Sequence, residues 1–163
     1  MERIWAPWRI GYIRMTGKKQ KGCLFCRSSR SRRKNYIFLK NKYSFAMLNK
    51  FPYNNGHVMI SPKKHIGDIK KLNNNEIKDL FNTLKQVLYL LDEVLKPEGY
   101  NLGMNIGKCS GAGIPGHLHL HVVPRWQADT NFMPIISSTK IISQALDELY
   151  RELKKNIKRL IRC

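Results

Sequence analysis

The stretch GIPGHLHLHVVPRW, residues 113–126, carries three of the chain's five histidines, His117, His119 and His121, in strict alternation with Leu118, Leu120 and Val122. A period of two belongs to a half-buried strand, so the pattern predicts one over about Leu118–Pro124, with the imidazoles on one face and the leucines and Val122 in the core. At a rise of about 3.3 Å per residue, neighbouring imidazoles on that face stand roughly 6.5–7 Å apart. That separation suits successive groups of a phosphate chain better than three ligands of one small ion. Two plainer readings stay open: a strand that shows histidines to solvent, and one metal bound by all three. Just upstream, GAGIPG (111–116) places Gly111 and Gly113 where backbone N–H groups can meet phosphate oxygens, or where glycines simply permit a tight turn.

Working outward, short β-branched or aromatic runs predict further strands at about Tyr36–Lys40, Ser44–Leu48, Gly56–Ser61 and Tyr100–Asn105, with FPYNNG (51–56) as a turn. Apolar residues at Ile77, Leu80, Phe81, Leu84, Val87, Leu88, Leu91 and Leu95 recur at three-and-four spacing, which predicts one long helix. Asn73 or Asn74 can cap it, and Pro97 and Gly99 stop it. A second helix is expected from about Thr139 to Ile161, with Ile142, Leu146, Leu149, Leu153, Ile157 and Leu160 on its apolar side and Ser137 or Ser138 as cap. Strands in a row around one inserted helix imply an α+β fold with an antiparallel sheet rather than a doubly wound parallel one. The run RSSRSRRK (27–34) reads as an exposed loop, because Ser and Arg cannot bury a core.

With 163 residues, 42% hydrophobic and 25% charged, the chain fits one globular domain over 1–163, with a basic N-terminal arm to about residue 35 and the basic helix at its other end. No apolar run reaches the roughly 20 residues of a membrane span, and Arg and Pro interrupt the N-terminal hydrophobics, so no signal peptide is expected and the expected location is the cytoplasm. Charge is the unusual quantity: 30 Lys and Arg against 11 Asp and Glu give a formal +19. Between Arg3 and Gly67 there are 16 basic residues and no acidic one. Such a field attracts polyanions, whether nucleotides, inorganic phosphate or nucleic acid, and is equally the mark of plain solvated lysine faces. The cysteines do not form a disulfide framework in a chain without a secretion signal; Cys23 and Cys26 make a C-x-x-C pair, which is half a metal site or a redox dithiol.

HLHLHVV also matches the His-x-His-x-His-x-x pattern, with apolar x, of the histidine triad nucleotide hydrolases and transferases. Together with IWAPWRIGYI, CLFC, LNKFPYNNGHVMISPKKH, GMNIGKCSGAGIPGHLHLHVVPRW and ADTNFM, it makes the chain resemble the bacterial diadenosine tetraphosphate phosphorylase-like branch of that family, over roughly Ile4 to Met133. The resemblance implies that His119 is the nucleophile that carries a nucleotidyl group, and that His121 orients phosphate oxygens or protonates the leaving phosphate; this is chemistry within reach of imidazoles near neutral pH. It implies that Asn49 bonds the ribose hydroxyls and Asn105 a phosphate, with all three triad histidines touching the nucleotide. It also groups Cys23, Cys26, His65 and His117 as ligands of a structural zinc, for which two thiolates and two imidazoles are a suitable set. His57 is read as a packed or hydrogen-bonded core residue. Many triad hydrolases have a Ser or Thr about three residues before the first histidine, where this chain has Ile114, which leaves substrate preference open.

The expected function is cleavage of dinucleoside polyphosphates, with phosphorolysis of diadenosine tetraphosphate to ADP and ATP favoured, in a homodimer. The alternatives are hydrolysis of the same substrates, a nucleoside phosphoramidase, and a basic nucleic-acid-associated binding protein.

Overall fold

Five short runs rich in β-branched and aromatic residues pair into one antiparallel sheet, and two apolar helical stripes cover one side of it. The computed structural model describes residues 22–31, 35–127, 129–130 and 141–160. In chain order the elements are α1 (Leu24–Arg30), β1 (Ile37–Lys40), β2 (Ser44–Leu48), β3 (Val58–Pro62), α2 (Asn74–Leu95), β4 (Gly99–Met104), β5 (Leu120–Arg125) and α3 (Leu146–Leu160). The sheet order is β1-β2-β3-β5-β4, every neighbouring pair antiparallel. This is the α+β architecture expected from the strand and helix periods. Among the described residues no helix is long and apolar enough to cross a membrane.

Register assigns the two faces. Met47 lies opposite Met59, and Met59 opposite His121. On the other face Leu48 meets Val58, and Val58 meets Val122. The helical side holds the main core, where Ala46, Leu48, Val58, Ile60, Leu120 and Val122 pack with residues of α2 and α3. The histidine side holds a smaller cluster of Phe25, Ile37, Phe45, Met47 and Met59. Central strands β2 and β3 are buried at every position because both faces are covered, which is why they read as runs rather than alternations.

Helix α2 starts with a capping box, in which the Asn73 side chain accepts from the Glu76 N–H and Glu76 accepts from the Asn73 N–H. Such a cap contributes about 1 kcal/mol. The helix ends at Lys96, which is left-handed at φ 48° directly before Pro97. Phe81 does not belong to the buried stripe as expected but is 54% exposed, and Thr83 is buried instead, bonded to Ser44 of β2.

The extents of several elements differ from expectation, β5 among them, which starts at Leu120 rather than Leu118. Helix α3 begins at Leu146 rather than near Thr139: residues 141–145 are not helical, and Ser137 and Ser138 lie outside the described residues. Ile142 does not extend the stripe; with Leu48, Pro52, Gly56, Leu146 and Leu149 it lines a cavity of about 260 Å³. The Ser- and Arg-rich run expected as a loop is helical up to Arg30, with Ser28 buried. Its helix is held by Phe25 upstream, and Arg27 and Arg30 sit in the last turn, where the helix dipole favours cations.

Candidate active site and metal centre

Strand β5 starts only at Leu120, so the histidine run enters the sheet partway through. His121 stands between Met59 of β3 and Gly103 of β4, and the missing side chain at Gly103 leaves open space on its β4 side. The His119 and His121 rings meet edge-on, with centroids 4.9 Å apart, closer than the 6.5–7 Å expected from strand rise. The rise fixes the Cβ positions, and the side chains then lean together. His119 is 6% exposed and His117 1%, so neither is shown to solvent along the strand.

Hydrogen bonds assign each ring nitrogen a role. The Tyr53 N–H donates to Nδ1 of His57 at 3.1 Å, so that nitrogen is unprotonated and Nε2 carries the hydrogen. His57 Nε2 then donates to His121 Nδ1 at 2.9 Å, which leaves the His121 proton on Nε2. His119 Nδ1 donates to the His117 carbonyl at 2.9 Å, which leaves a lone pair on its Nε2. The site therefore pairs an imidazole able to attack with an imidazole able to give a proton. These neutral states are sustained by burial. Desolvation, and then the proximity of His121 and His119, lower the His57 pKa to about 3. Desolvation, and then His119, lower that of His121 to about 4. Burial lowers His119 as well, partly opposed by its bond to the His117 carbonyl.

The third triad histidine is bonded differently. His117 Nε2 donates to the Pro62 carbonyl at 2.9 Å, so Nδ1 is free to ligate. That Nδ1 lies 3.2 Å from Cys23 Sγ, 3.5 Å from Cys26 Sγ and 3.2 Å from His65 Nδ1. Cys26 Sγ lies 3.3 Å from His65 Nδ1, and all four ligand atoms fall within 4.8 Å of one another. A zinc tetrahedron with bonds of about 2.0–2.3 Å has edges of about 3.3–3.8 Å, so the four donors can hold such an ion after small adjustments. Burial, and then the neighbouring Cys23, push the Cys26 thiol up from its ordinary value, a penalty that a divalent cation among the donors reverses. The carbonyl held by His117 Nε2 is the outer partner expected of a ligating imidazole. Local backbone brings the halves together: Leu118 N–H bonds the Ile66 carbonyl at 2.6 Å, and Gly67 packs so tightly that a Cβ there would stand 2.6 Å from the Pro115 oxygen.

The other expected residues are placed as follows. Asn49 follows β2, its amide 3.3 Å from His57 Nδ1 and its Oδ1 accepting from the Phe51 N–H at 3.0 Å. Asn105 follows β4, and extending the β4–β5 register by one step sets it opposite His119. Gly111 and Gly113 are exposed in the loop before the histidines, Gly111 at φ +79°. Trp126 donates its Nε1–H to the Lys96 carbonyl, while Trp5 and Trp8 lie outside the described residues. Three residues were given no site role by sequence reasoning. His57 is a hydrogen-bonded core histidine as expected, yet its partner is His121. The Tyr53 ring, 44% exposed, lies over His57 at 4.7 Å and His121 at 6.0 Å. Phe25 packs against His117 and His119. The only advance signals were the Gly-His pair at 56–57 and the phenylalanine inside the C-x-x-C.

Residues 30–128 match the HIT domain family, and the chain belongs to it. Over 161 residues it is 30% identical to a Mycobacterium tuberculosis protein named AP-4-A phosphorylase, covering 94% of this chain and 83% of that one. A Schizosaccharomyces pombe protein named asymmetrical bis(5'-nucleosyl)-tetraphosphatase is 30% identical over 120 residues, covering 74% of this chain and 58% of its own. Among solved structures, a hypothetical histidine triad nucleotide-binding protein from Sulfolobus tokodaii superposes with a TM-score of 0.70 at 25% identity, covering 85% of this chain and 93% of the other.

Proposed function

We propose that the protein cleaves dinucleoside polyphosphates by nucleotidyl transfer through His119. The observation that carries this reading is the pair of opposite ring states, a bare Nε2 on His119 beside a protonated Nε2 on His121. His119 Nε2 attacks an α-phosphorus; the N–P bond forms as the P–O bond to the leaving nucleotide breaks, and His121 gives that oxygen its proton. With diadenosine tetraphosphate the leaving group is ATP, and AMP remains on His119. Inorganic phosphate then displaces the imidazole and yields ADP, or water yields AMP. The names of the relatives support this substrate class, and the mycobacterial relative's name, over nearly the whole chain, supports phosphate as the acceptor. The basic field concentrates that anion near the site.

In this reading the Cys23, Cys26, His65 and His117 site holds zinc as a structural tie between the N-terminal arm and the histidine segment. A closed four-ligand site offers no position to a substrate oxygen, so the ion supplies folding energy rather than chemistry. Keeping both thiols free to ligate calls for a reducing compartment, which fits the cytoplasm. The protein works as a homodimer joined at edge strand β4, whose Leu102 is 48% exposed beside Ile106 at 46%.

The test is incubation with diadenosine tetraphosphate, with and without millimolar phosphate, followed by nucleotide analysis. ADP with ATP in the first turnovers supports the reading. AMP with ATP at millimolar phosphate replaces phosphorolysis with hydrolysis. No turnover, together with salt-sensitive retention on nucleic acid, refutes the enzyme and favours a binding protein.

A further inference from the structure

Helix α1 has little of its own to hold it. Its seven residues are fewer than an isolated helix needs, its N-cap Cys23 makes no side-chain cap bond, and its first turn has no acidic residue. Besides the buried Ser28 and bonds from the Asn35 amide to the Ser28 carbonyl and from Lys40 Nζ to the Ser29 carbonyl, it is anchored by the two cysteines at the metal donor set and by Phe25, the apolar side chain of α1 that is 1% exposed. The Phe25 ring centroid lies 5.2 Å from that of His117, 4.9 Å from that of His119 and 6.5 Å from that of Phe45. One side chain, set between the two cysteines, thus touches both a metal donor and the imidazole read as the nucleophile. A second restraint on the His119 ring comes from the same quarter, since its Nδ1–H is held by the carbonyl of His117, whose ring is a donor; the His121 ring meets it edge-on from the other side of the site.

We propose that Phe25 is a positioning residue that makes the orientation of the His119 ring depend on the state of the Cys23–Cys26–His65–His117 site. With the four donors gathered, α1 is fixed at both cysteines and Phe25 presses the His119 ring against the sheet. When the donors disperse, α1 loses its two cysteine anchors, Phe25 loosens from the cluster it shares with Ile37, Phe45, Met47 and Met59, and the His119 ring loses the packing that holds its orientation on that side. A nucleophile held in line and one that wanders by an ångström differ by about 100-fold in rate, so occupancy of a site that does no chemistry governs turnover. The catalytic half of this inference rests on the reading of His119 as nucleophile; the structural half does not.

The experiment compares the full-length wild type with Phe25→Ala and Phe25→Leu, each loaded with zinc, and adds wild type stripped by a chelator. Zinc per chain, the proton–nitrogen spectrum of the His119 imidazole at fixed pH, hydrogen exchange over residues 24–30, and kcat and KM are all read. The expected result is that Phe25→Ala keeps its zinc and its KM within about threefold and loses about 10- to 100-fold in kcat, while its His119 ring signals move to those of the stripped wild type. Phe25→Leu recovers most of the rate. Unchanged His119 signals in zinc-loaded Phe25→Ala overturn the inference. If that variant does not fold, the wild type decides: simultaneous loss of order at 24–30 and at the His119 ring on stripping supports the coupling, and loss at 24–30 alone overturns it. Absence of turnover in wild type refutes the functional reading but leaves the spectra to test the coupling.

Discussion

Lowering the pH should destabilise the protein through His57. His57 is 1% exposed, and burial with its histidine neighbours takes its pKa from 6.5 to about 3. In the unfolded chain it titrates near 6.5, so between pH 6.5 and about 3 the unfolded state binds a proton that the folded state refuses. Stability is therefore fullest above pH 6.5 and falls as the pH drops through that window. At pH 5.0 the unfolded state is favoured by about 1.5 pH units at ~1.4 kcal/mol each, a cost of about 2 kcal/mol from this one residue. The measurement is urea unfolding of wild type and His57→Gln at pH 7.5 and 5.0. The glutamine amide retains a donor toward His121 Nδ1 but does not titrate, and taking the difference removes the shared effects of the other histidines and the thiols. The advantage of wild type over the variant should shrink by about 2 kcal/mol between the two pH values. An advantage that stays constant to within about 0.5 kcal/mol would falsify the assignment of a buried neutral His57.

Further outcomes follow from the site. His119→Gly should lower kcat by several orders of magnitude while the chain stays folded by circular dichroism, and free imidazole should restore part of the rate; retention of a tenth of the wild-type rate refutes its role as nucleophile. Metal analysis should find about one zinc per chain, lost in a Cys23→Ser/Cys26→Ser double variant, and zinc that persists there refutes the donor set. In Gly67→Ala the added methyl meets the Pro115 backbone oxygen at 2.6 Å, so His65 and His117 are pushed apart. Zinc affinity should weaken and stability fall by about 1–3 kcal/mol in thermal melts, whereas an unaltered melt shows that the loop yields freely. Leu102→Lys should shift the mass measured by light scattering from dimer to monomer, and a wild type that is already monomeric disposes of the β4 contact.

How much of this was legible in the sequence depends on whether a feature is local or assembled. The period of two in HLHLHVV and the three-and-four spacing of the α2 stripe report which face of an element is buried: Leu118, Leu120 and Val122 enter the core with His121 opposite Met59 on the other face, and Leu80, Leu84, Val87 and Leu91 are buried, while Phe81 of the same stripe is exposed and His117 and His119 are buried ahead of the strand. The beginning of α3 was misplaced because Ile142 fits a helical stripe by spacing but goes to a cavity wall, and spacing alone cannot distinguish the two. Helix α1 was missed for the opposite reason: Arg27 and Arg30 describe its exposed side truthfully, while its order comes from the buried Phe25 and Ser28, the two cysteines, and bonds from Asn35 and Lys40 to its carbonyls, all held from elsewhere in the fold. The same division runs through the site. Sequence spacing names three histidines but does not say which nitrogen of each is bare. That depends on the Tyr53 N–H, the His117 carbonyl and the Pro62 carbonyl, backbone groups that any residue carries and that no motif can record. A motif therefore locates the imidazoles, and only the fold gives them the different hydrogen-bonded ring states on which the proposed division into an attacking ring, a proton donor and a metal ligand rests.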